Sequence, residues 1–290
     1  MATVETTIFK RGSTTYYWSS VFFPREVRAD IFKLYSFVRT VDDLVDVVPP
    51  RRAEFQAVYN AWEASKANPP HDHARTLQKG ETRRALITKN IAELSVKYNF
   101  DPAWVQAFFS SMQADLDGAR YKTLAQTLGY VHGSAEVIGL MLAQIMRLPP
   151  TAGQAAMLQG RAMQWINFVR DIAEDNALGR SYFPQEDLRH FGLSDVQEAT
   201  ARAHPEQFAA FVRFELGRYT QWQAEATSAH ALLPRRVRTP VATAAHMYGW
   251  TAQQIAKDPF IVFARKVKPS RRRVLATGFG TALALLLRRA

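Results

Sequence analysis

Two acidic phrases carry residue types and spacings that could do chemistry. In Phe37-Val-Arg-Thr-Val-Asp-Asp-Leu-Val-Asp46, Asp42 and Asp46 are four apart. On a helix they share one face, one turn apart, and Arg39 and Tyr35 continue that face. Stacked carboxylates repel, so such a face is either wet or neutralised by a cation. A lone pair of this kind is ordinarily solvated surface. In Gln164-Trp-Ile-Asn-Phe-Val-Arg-Asp-Ile-Ala-Glu-Asp175, Asn167, Asp171 and Asp175 fall at i, i+4 and i+8, bordered by Gln164 and Arg170. That stripe offers only oxygen donors, which suit hard cations and Mg²⁺ in particular. Its neighbours Trp165, Ile166, Phe168, Val169 and Ile172 are apolar, so the stripe is expected to face the interior. Unpaired carboxylates there are costly, and a metal or an arginine must lie opposite.

Each stripe can hold Mg²⁺ only partly, because Mg²⁺ takes one or two carboxylates and completes its shell with water and phosphate oxygens. A shared polyanion between the stripes satisfies both. A diphosphate bridged by Mg²⁺ in an aromatic helical pocket is the physical description of a prenyl diphosphate site. Metals and arginines take up charge on the leaving group, and aromatic faces stabilise the carbocation without attacking it. The chain has 18 Phe, 10 Tyr and 6 Trp to line such a pocket, although most must be ordinary core.

The elements that would position these residues are helical. Apolar residues recur at three- and four-residue intervals over 24–48, 79–98, 103–116, 121–147, 153–177, 205–231 and 238–256. Pro49-Pro50, Asn68-Pro69-Pro70, Asp101-Pro102, Pro149-Pro150, Gly179, His204-Pro205 and Pro234 separate them. Asp101 before Pro102 predicts an N-cap with proline at the first helical position. Alternating strand patterns and repeats are missing. The expectation is an all-α single domain over 1–290 of roughly ten helices, with the loop at 66–75 the one candidate for disorder.

With 290 residues, 47% of them hydrophobic, the chain can bury a real core. It has no cysteine, which excludes disulfides, thiolate zinc and cysteine-held iron–sulfur clusters. The start, MATVETTIFKRG, shows no secretory signal, which points to the cytoplasm. The net charge of +11 is unevenly placed: residues 1–233 carry 25 basic and 25 acidic side chains, whereas 234–290 carry 12 basic ones against Asp258 alone. No nucleic-acid-binding motif accompanies that excess, so nucleic acid is not expected. A membrane surface or a polyphosphate fits better. The apolar stretch Val274–Leu287, inside the basic segment 266–290, is short of the ~20 residues that span a bilayer. It fits a core helix or an interfacial helix with arginines at its ends. Contact with an anionic membrane surface is expected through this basic fifth, at the inner face of the membrane.

Taken in order, these phrases resemble the squalene/phytoene synthase family over about 13–273. The carriers are Ser13-Thr-Thr-Tyr-Tyr-Trp-Ser-Ser-Val-Phe-Phe-Pro24, Arg39 through Asp46, Tyr130-Val-His-Gly-Ser-Ala-Glu-Val-Ile-Gly139, Gln164 to Asp175 with Gly179-Arg-Ser-Tyr-Phe-Pro184, and Tyr248 through Arg265-Lys266-Val267. The resemblance implies a class I isoprenoid-synthase helical bundle around a central cavity. It implies Mg²⁺, with Mn²⁺ as an alternative, on Asp42, Asp46, Asn167, Asp171 and Asp175. Diphosphate contacts are implied from Ser13, Thr15, Arg39, Gln164, Arg170, Tyr248 and Arg265, with Tyr35 and Tyr182 orienting them. Two departures stand out. Thr14 replaces a lysine common in the family, and Glu136 stands where a small residue is usual. A carboxylate there would crowd or polarise the cavity, or pair with an arginine.

The implied reaction joins two prenyl diphosphates head to head. The first ionises, its allylic cation alkylates the second, and proton loss gives a cyclopropylcarbinyl diphosphate that ionises again and rearranges. Quenching by proton loss gives phytoene or dehydrosqualene, and hydride from NADPH gives squalene. No Gly-x-Gly-x-x-Gly follows a strand, and NADPH is not expected. Ser20 falls where thirty-carbon relatives carry a bulkier side chain, and Asp258 to Val267 is nearer the phytoene synthase style. The expectation is therefore a forty-carbon phytoene synthase of carotenoid biosynthesis. The alternatives are a thirty-carbon synthase making dehydrosqualene, squalene or a hopanoid-pathway precursor, a non-catalytic assembly factor, and a class I terpene cyclase. His71, His73 and the other histidines show no metal-binding spacing. Met141, Met146, Met157 and Met163 are expected as core fillers, and Arg235, Arg236 and Arg238 as a solvated turn.

Overall fold

A computed structural model describes residues 3–67 and 83–287, and every regular element in them is helical. The N-terminal half comprises α1 (Val4–Gly12), α2 (Thr14–Ser20), α3 (Arg25–Val45), α4 (Arg52–Ala67), α5 (Arg83–Tyr98), α6 (Pro102–Leu116), α7 (Leu124–Val131) and α8 (Val137–Ile145). The second half comprises α9 (Gly153–Arg170), α10 (Ile172–Ala177), α11 (Gln185–His190), α12 (Glu198–Ala203), α13 (Pro205–Ser228), α14 (Arg235–Lys257), α15 (Ile261–Ala264) and α16 (Arg271–Leu287). The all-α expectation is met. The number of helices exceeds it, because α1, α2, α10, α11, α12 and α15 are too short to show a periodic stripe and owe their helicity to packing. The loop expected at 66–75 lies almost wholly outside the described residues, as do His71 and His73.

Local signals place the helix starts. The Asp101 side chain accepts from the Ala103 N–H at 2.9 Å, with Pro102 at the first helical position. Ser13 caps α2 by accepting from the Tyr16 N–H at 3.2 Å. Two stretches expected as continuous helices are interrupted. In 121–147, a π-helical turn at His132–Glu136 joins α7 to α8. Here Gly133 lets the chain approach the Ala107 carbonyl of α6, and Gly160 of α9 meets the Ala135 carbonyl. A Cβ at either glycine would lie within 2.4 Å of those oxygens. The turn is thus wedged between two helices, and the extra residue of the π turn accommodates it. In 153–177, the helix breaks at Asp171, whose backbone leaves helical values at φ −101°, ψ 15°.

Two apolar clusters organise the molecule. One gathers Phe37, Phe55, Ile91, Phe108, Phe109 and Met141 from α3, α4, α5, α6 and α8. The other gathers Trp165, Phe168, Tyr182, Phe211, Trp222 and Tyr248 from α9, α13, α14 and the segment after α10. Tyr16 of α2 packs against both. The acidic phrase of α3 thus belongs to the first cluster and that of α9 and α10 to the second, and the seam between the clusters is where they can meet.

Two basic residues are more engaged than a solvated turn allows. Arg238 donates to the carbonyls of Ala231 (2.7 Å) and Leu233 (2.8 Å), capping the turn ahead of α14. His230 lies in that turn with Nε2 3.4 Å from Gln159 Oε1. Burial, then His246 and Arg238, hold its pKa down to about 4. The unfolded chain takes up that proton near the ordinary value of 6.5, so between these two pH values the unfolded state binds more protons and stability falls as pH falls. Chemical denaturation at pH 7 and pH 5 should therefore show a larger loss for the wild type than for H230Q. Equal losses would remove His230 from the pH dependence.

Candidate active site

The α3 stripe ends at the end of its helix. Asp46 is the C-cap residue, with its N–H on the Asp42 carbonyl at 2.8 Å. A carboxylate at a helix C-terminus opposes the helix dipole. Arg180 offsets this: one guanidinium nitrogen donates to Asp46 Oδ1 at 2.7 Å and the other to the Val45 carbonyl at 2.9 Å. The second half of the chain thus ties down the end of α3. Arg39 pairs with Asp43 at 2.8 Å and lies close enough to Asp42 and Asp46 to feel both. Tyr35 stacks on Phe9 with ring centroids 3.9 Å apart, and burial pushes its hydroxyl pKa up.

Opposite stands the α9–α10 stripe. Arg170 and Asp171 are adjacent in sequence and would diverge on a regular helix. The break at Asp171 lets the guanidinium meet its neighbour's carboxylate twice, at 2.7 and 2.5 Å. Lys266 adds a contact to Asp171 at 3.1 Å and another to Glu174. Burial pushes the Asp171 carboxyl up, but Arg170 and Lys266 outweigh it and hold the pKa below the usual range. Asp175 has no ion pair among the described residues: burial, then Asp171 and Asp46, push its pKa to about 8 against the pull of Arg180. Asp42 is also raised, by burial and then by Asp46.

The two stripes therefore face each other closely enough for their charges to interact, and a third acid joins them. Asp115 of α6 accepts from the Tyr130 hydroxyl at 2.8 Å and the Tyr182 hydroxyl at 2.9 Å. Its pKa rises to about 6, raised by burial against the opposing pull of Arg180 and the two tyrosines. Tyr182 stacks on Phe168 at 4.5 Å and lies 4.9 Å from the Tyr130 ring, forming an aromatic wall beside the acids.

Tyr248 of α14 is buried beside Tyr16, Asn167 and Arg170. Asn167 Oδ1 is buried with no hydrogen-bond partner among the described residues. Thr15 is buried on α2, and Gln164 is half-buried on α9. Arg265 is exposed, and the described contacts give its side chain no partner on the stripes; Lys266, its neighbour, reaches them instead. Glu136 resolves toward pairing: it is buried, 2.6 Å from Arg161 Nε and 3.0 Å from His132 Nδ1. Arg161 also lies over the Trp222 ring. Sequence reasoning passed over Asp115, Arg180 and Lys266. Arg180 lies inside the Gly179–Pro184 phrase and Lys266 beside Arg265, so each had a local signal, whereas nothing in its own helix marks Asp115.

The donor set fits a hard divalent cation. It is all oxygen, carboxylates crowd one another, and Asn167 Oδ1 is left without a donor. Among the described residues, no three acidic or histidine side chains close into a metal cage by themselves. A cation here would need phosphate oxygens and water to complete its shell.

The squalene/phytoene synthase family matches residues 9–273 of this sequence. The chain belongs to that family. It is a prenyltransferase, and curated relatives agree. The 15-cis-phytoene synthase of Pantoea ananas is 28% identical over 284 residues, covering 96% of this chain and 90% of its own length. That of Synechococcus elongatus is 26% identical over 272 residues, covering 89% and 85%. Among solved structures, a dehydrosqualene synthase in complex with a ligand superposes with a TM-score of 0.82 at 21% identity, covering 97% of this chain and 95% of the other. Squalene synthase HpnC from Alicyclobacillus acidocaldarius gives 0.73 at 22%, covering 89% and 93%. These likenesses establish the isoprenoid-synthase fold.

Arg180 is the cross-link on which this prenyltransferase site's geometry rests. R180A leaves the half-exposed Asp46 carboxylate to water and the buried Val45 carbonyl without its donor, and should cost ~1 kcal/mol in denaturant unfolding. R180K, which keeps the charge but not the two-pronged contact, should fall between. Unchanged stability in R180A would show that Asp46 does not need its partner.

Proposed function

We propose that this chain, acting as one domain over residues 1–290, condenses two geranylgeranyl diphosphates head to head to phytoene through a cyclopropylcarbinyl diphosphate, in carotenoid biosynthesis. The observation that carries this reading is the convergence of two acidic stripes, a buried partnerless Asn167 oxygen and the cations Arg170 and Lys266 at one seam. Bound Mg²⁺, or Mn²⁺, would be held by Asp42, Asp46, Asn167, Asp171 and Asp175 and would draw charge from the departing diphosphate.

The chain's own groups do the remaining work. Arg39, Arg170 and Arg265, with Ser13, Thr15, Gln164 and Tyr248, bind the diphosphates, and Lys266 joins them from beside Asp171. Guanidinium and hydroxyl donors aimed at phosphate oxygens favour the state in which the carbon–oxygen bond is breaking. Asp115 accepts hydrogen bonds from the Tyr130 and Tyr182 hydroxyls and so holds both rings. With Phe168 those rings give the cation an aromatic face and keep water away. Tyr35, packed between Phe9 and Gly12, orients Arg39. The last step is proton loss, which needs no NADPH. Ser20, buried at the end of α2 with its hydroxyl on the Tyr17 carbonyl at 2.7 Å, leaves room for the longer substrate. A thirty-carbon product from farnesyl diphosphate is the second reading, in keeping with the names of the superposed synthases.

Purified protein incubated with Mg²⁺ and either geranylgeranyl or farnesyl diphosphate, with and without NADPH, tests both readings by the mass of the hydrocarbon. We expect a forty-carbon product without NADPH, lost by at least ~10³-fold in D42N and D171N while each variant keeps its helical content. A thirty-carbon product would overturn the substrate assignment, and full turnover in both variants would overturn the metal assignment.

We further propose that the protein works at the cytoplasmic face of an anionic membrane. No helix among the described residues is long and apolar enough to cross one. In α16, Val274 and Gly278 pack inward while Phe279, Leu283, Leu286 and Leu287 are exposed, with Arg271, Arg272 and Arg273 at the start of the helix. That pattern suits a helix lying in the interface, next to the apolar substrates and products. Sedimentation with anionic liposomes at low salt should pull down the full chain and not a chain ending before residue 270. Equal binding by both would overturn the assignment.

A further inference from the structure

A cavity of about 600 Å³ opens on the outer side of the acidic seam, between the end of α3, the loop into α4 and the start of α5. Among the described residues, Arg39, Arg51, Arg83 and Arg84 line it together with Asp43, Asp46 and Glu54. Asp43 is shared by Arg39 at 2.8 Å and Arg83 at 3.3 Å. Glu54 is shared by Arg51 at 3.9 Å and Arg84 at 3.8 Å, the loosest ion pairs in the molecule's described part. Asp46, the third acid of the lining, is already held by Arg180. Among the described residues, these four guanidinium groups have their ion pairs on two carboxylates, Asp43 and Glu54. Their side chains are 38% to 57% exposed, so they can turn toward a ligand in the cavity.

This arrangement suits a small polyphosphate. Guanidinium groups bind phosphate through paired N–H donors, and several around one cavity match an anion with oxygens on more than one phosphorus. A surface whose arginines were fully paired would have no such capacity. The position matters as much as the charge. Arg39 and Asp46 belong both to this cavity and to the inner site, so the two spaces adjoin at these residues.

We propose that this cavity is an outer binding site for inorganic diphosphate and takes up the group released at the seam. The source of that anion rests on the proposed function. The binding itself does not, since Arg51 and Arg84 are outside the inner site and their capacity for diphosphate exists whether or not the chain turns over.

The test uses the full chain. Binding of inorganic diphosphate, and separately of inorganic phosphate, is measured by calorimetry in metal-free buffer at low ionic strength for the wild type, R51A/R84A and E54Q. In the turnover assay, inhibition by added diphosphate is compared with KM for the prenyl substrate. We expect R51A/R84A to weaken diphosphate binding and inhibition by about tenfold with KM and kcat unchanged. E54Q, which frees both arginines, should tighten binding severalfold. Diphosphate should bind more tightly than phosphate. Unchanged affinity in R51A/R84A, weaker binding in E54Q, or equal affinity for phosphate and diphosphate would each overturn the site. A KM that rises in step with the inhibition constant would do the same, by assigning the arginines to substrate binding. A chain that binds diphosphate as expected but makes no hydrocarbon would leave this site standing and sink the proposed function instead.

Discussion

Like charges held close together in a poorly hydrated seam are the condition that the rest of the structure has to meet. Asp42, Asp46, Asp115, Asp171 and Asp175 come from three stretches of chain; burial, then Asp171 and Asp46, raise the Asp175 pKa to about 8, and burial raises that of Asp115 to about 6. Left alone, such a group would push its helices apart. Three cations offset it without filling it. Arg180 takes Asp46 and the end of α3, Arg170 turns back on Asp171, and Lys266 comes from the C-terminal segment to the same carboxylate. Among the described residues Asp42 and Asp175 form no ion pair at contact distance, although Arg39 pulls on the first and Arg180 on the second.

The apolar framework holds these acids in register. Each stripe is anchored in a different cluster, and α2, through Tyr16, packs against both. The wall beside the acids is fixed by the same logic. Tyr130 and Tyr182 come from separate segments, pack ring to ring and both donate to Asp115, so one carboxylate helps set the orientation of two rings. The π turn just after Tyr130 is clamped on one side by Gly133 against α6 and on the other by Gly160 against α9, with the Glu136–Arg161 pair across it. A glutamate in place of a small residue is therefore accommodated by an arginine on the facing helix, and both leave the acidic seam alone.

The basic excess of the last fifth of the chain divides into several uses. Lys266 turns inward to the acids. Arg271 lies over Trp18 at 3.9 Å and Arg273 over Trp250 at 4.8 Å, so α16 is bound to α2 and α14 through cation–π contacts. Phe22 fits against Gly278 and meets Phe279 edge-on. With those contacts made, the remaining leucines of α16 are left outward. Net charge alone does not distinguish these roles, because each depends on what lies across from a given side chain.

The sequence by itself determined the helical class, the main helix boundaries marked by proline, glycine and capping residues, and both acidic stripes, because these are local patterns with periods of three to four residues. Arg39, Asp42, Asn167, Asp171 and Asp175 were legible for that reason, and the order of the surrounding phrases identified the family. Only the tertiary structure decided that the stripes face each other, that Asp115 joins them, that Arg180 rather than a residue of α3 holds Asp46, and that Lys266 reaches Asp171 where Arg265 does not. Those facts depend on contacts between residues 67 to 134 positions apart, such as Tyr182 with Asp115 and Arg180 with Asp46. No local period encodes them, since they arise when two apolar clusters are pressed together and the charges left at their seam must find partners.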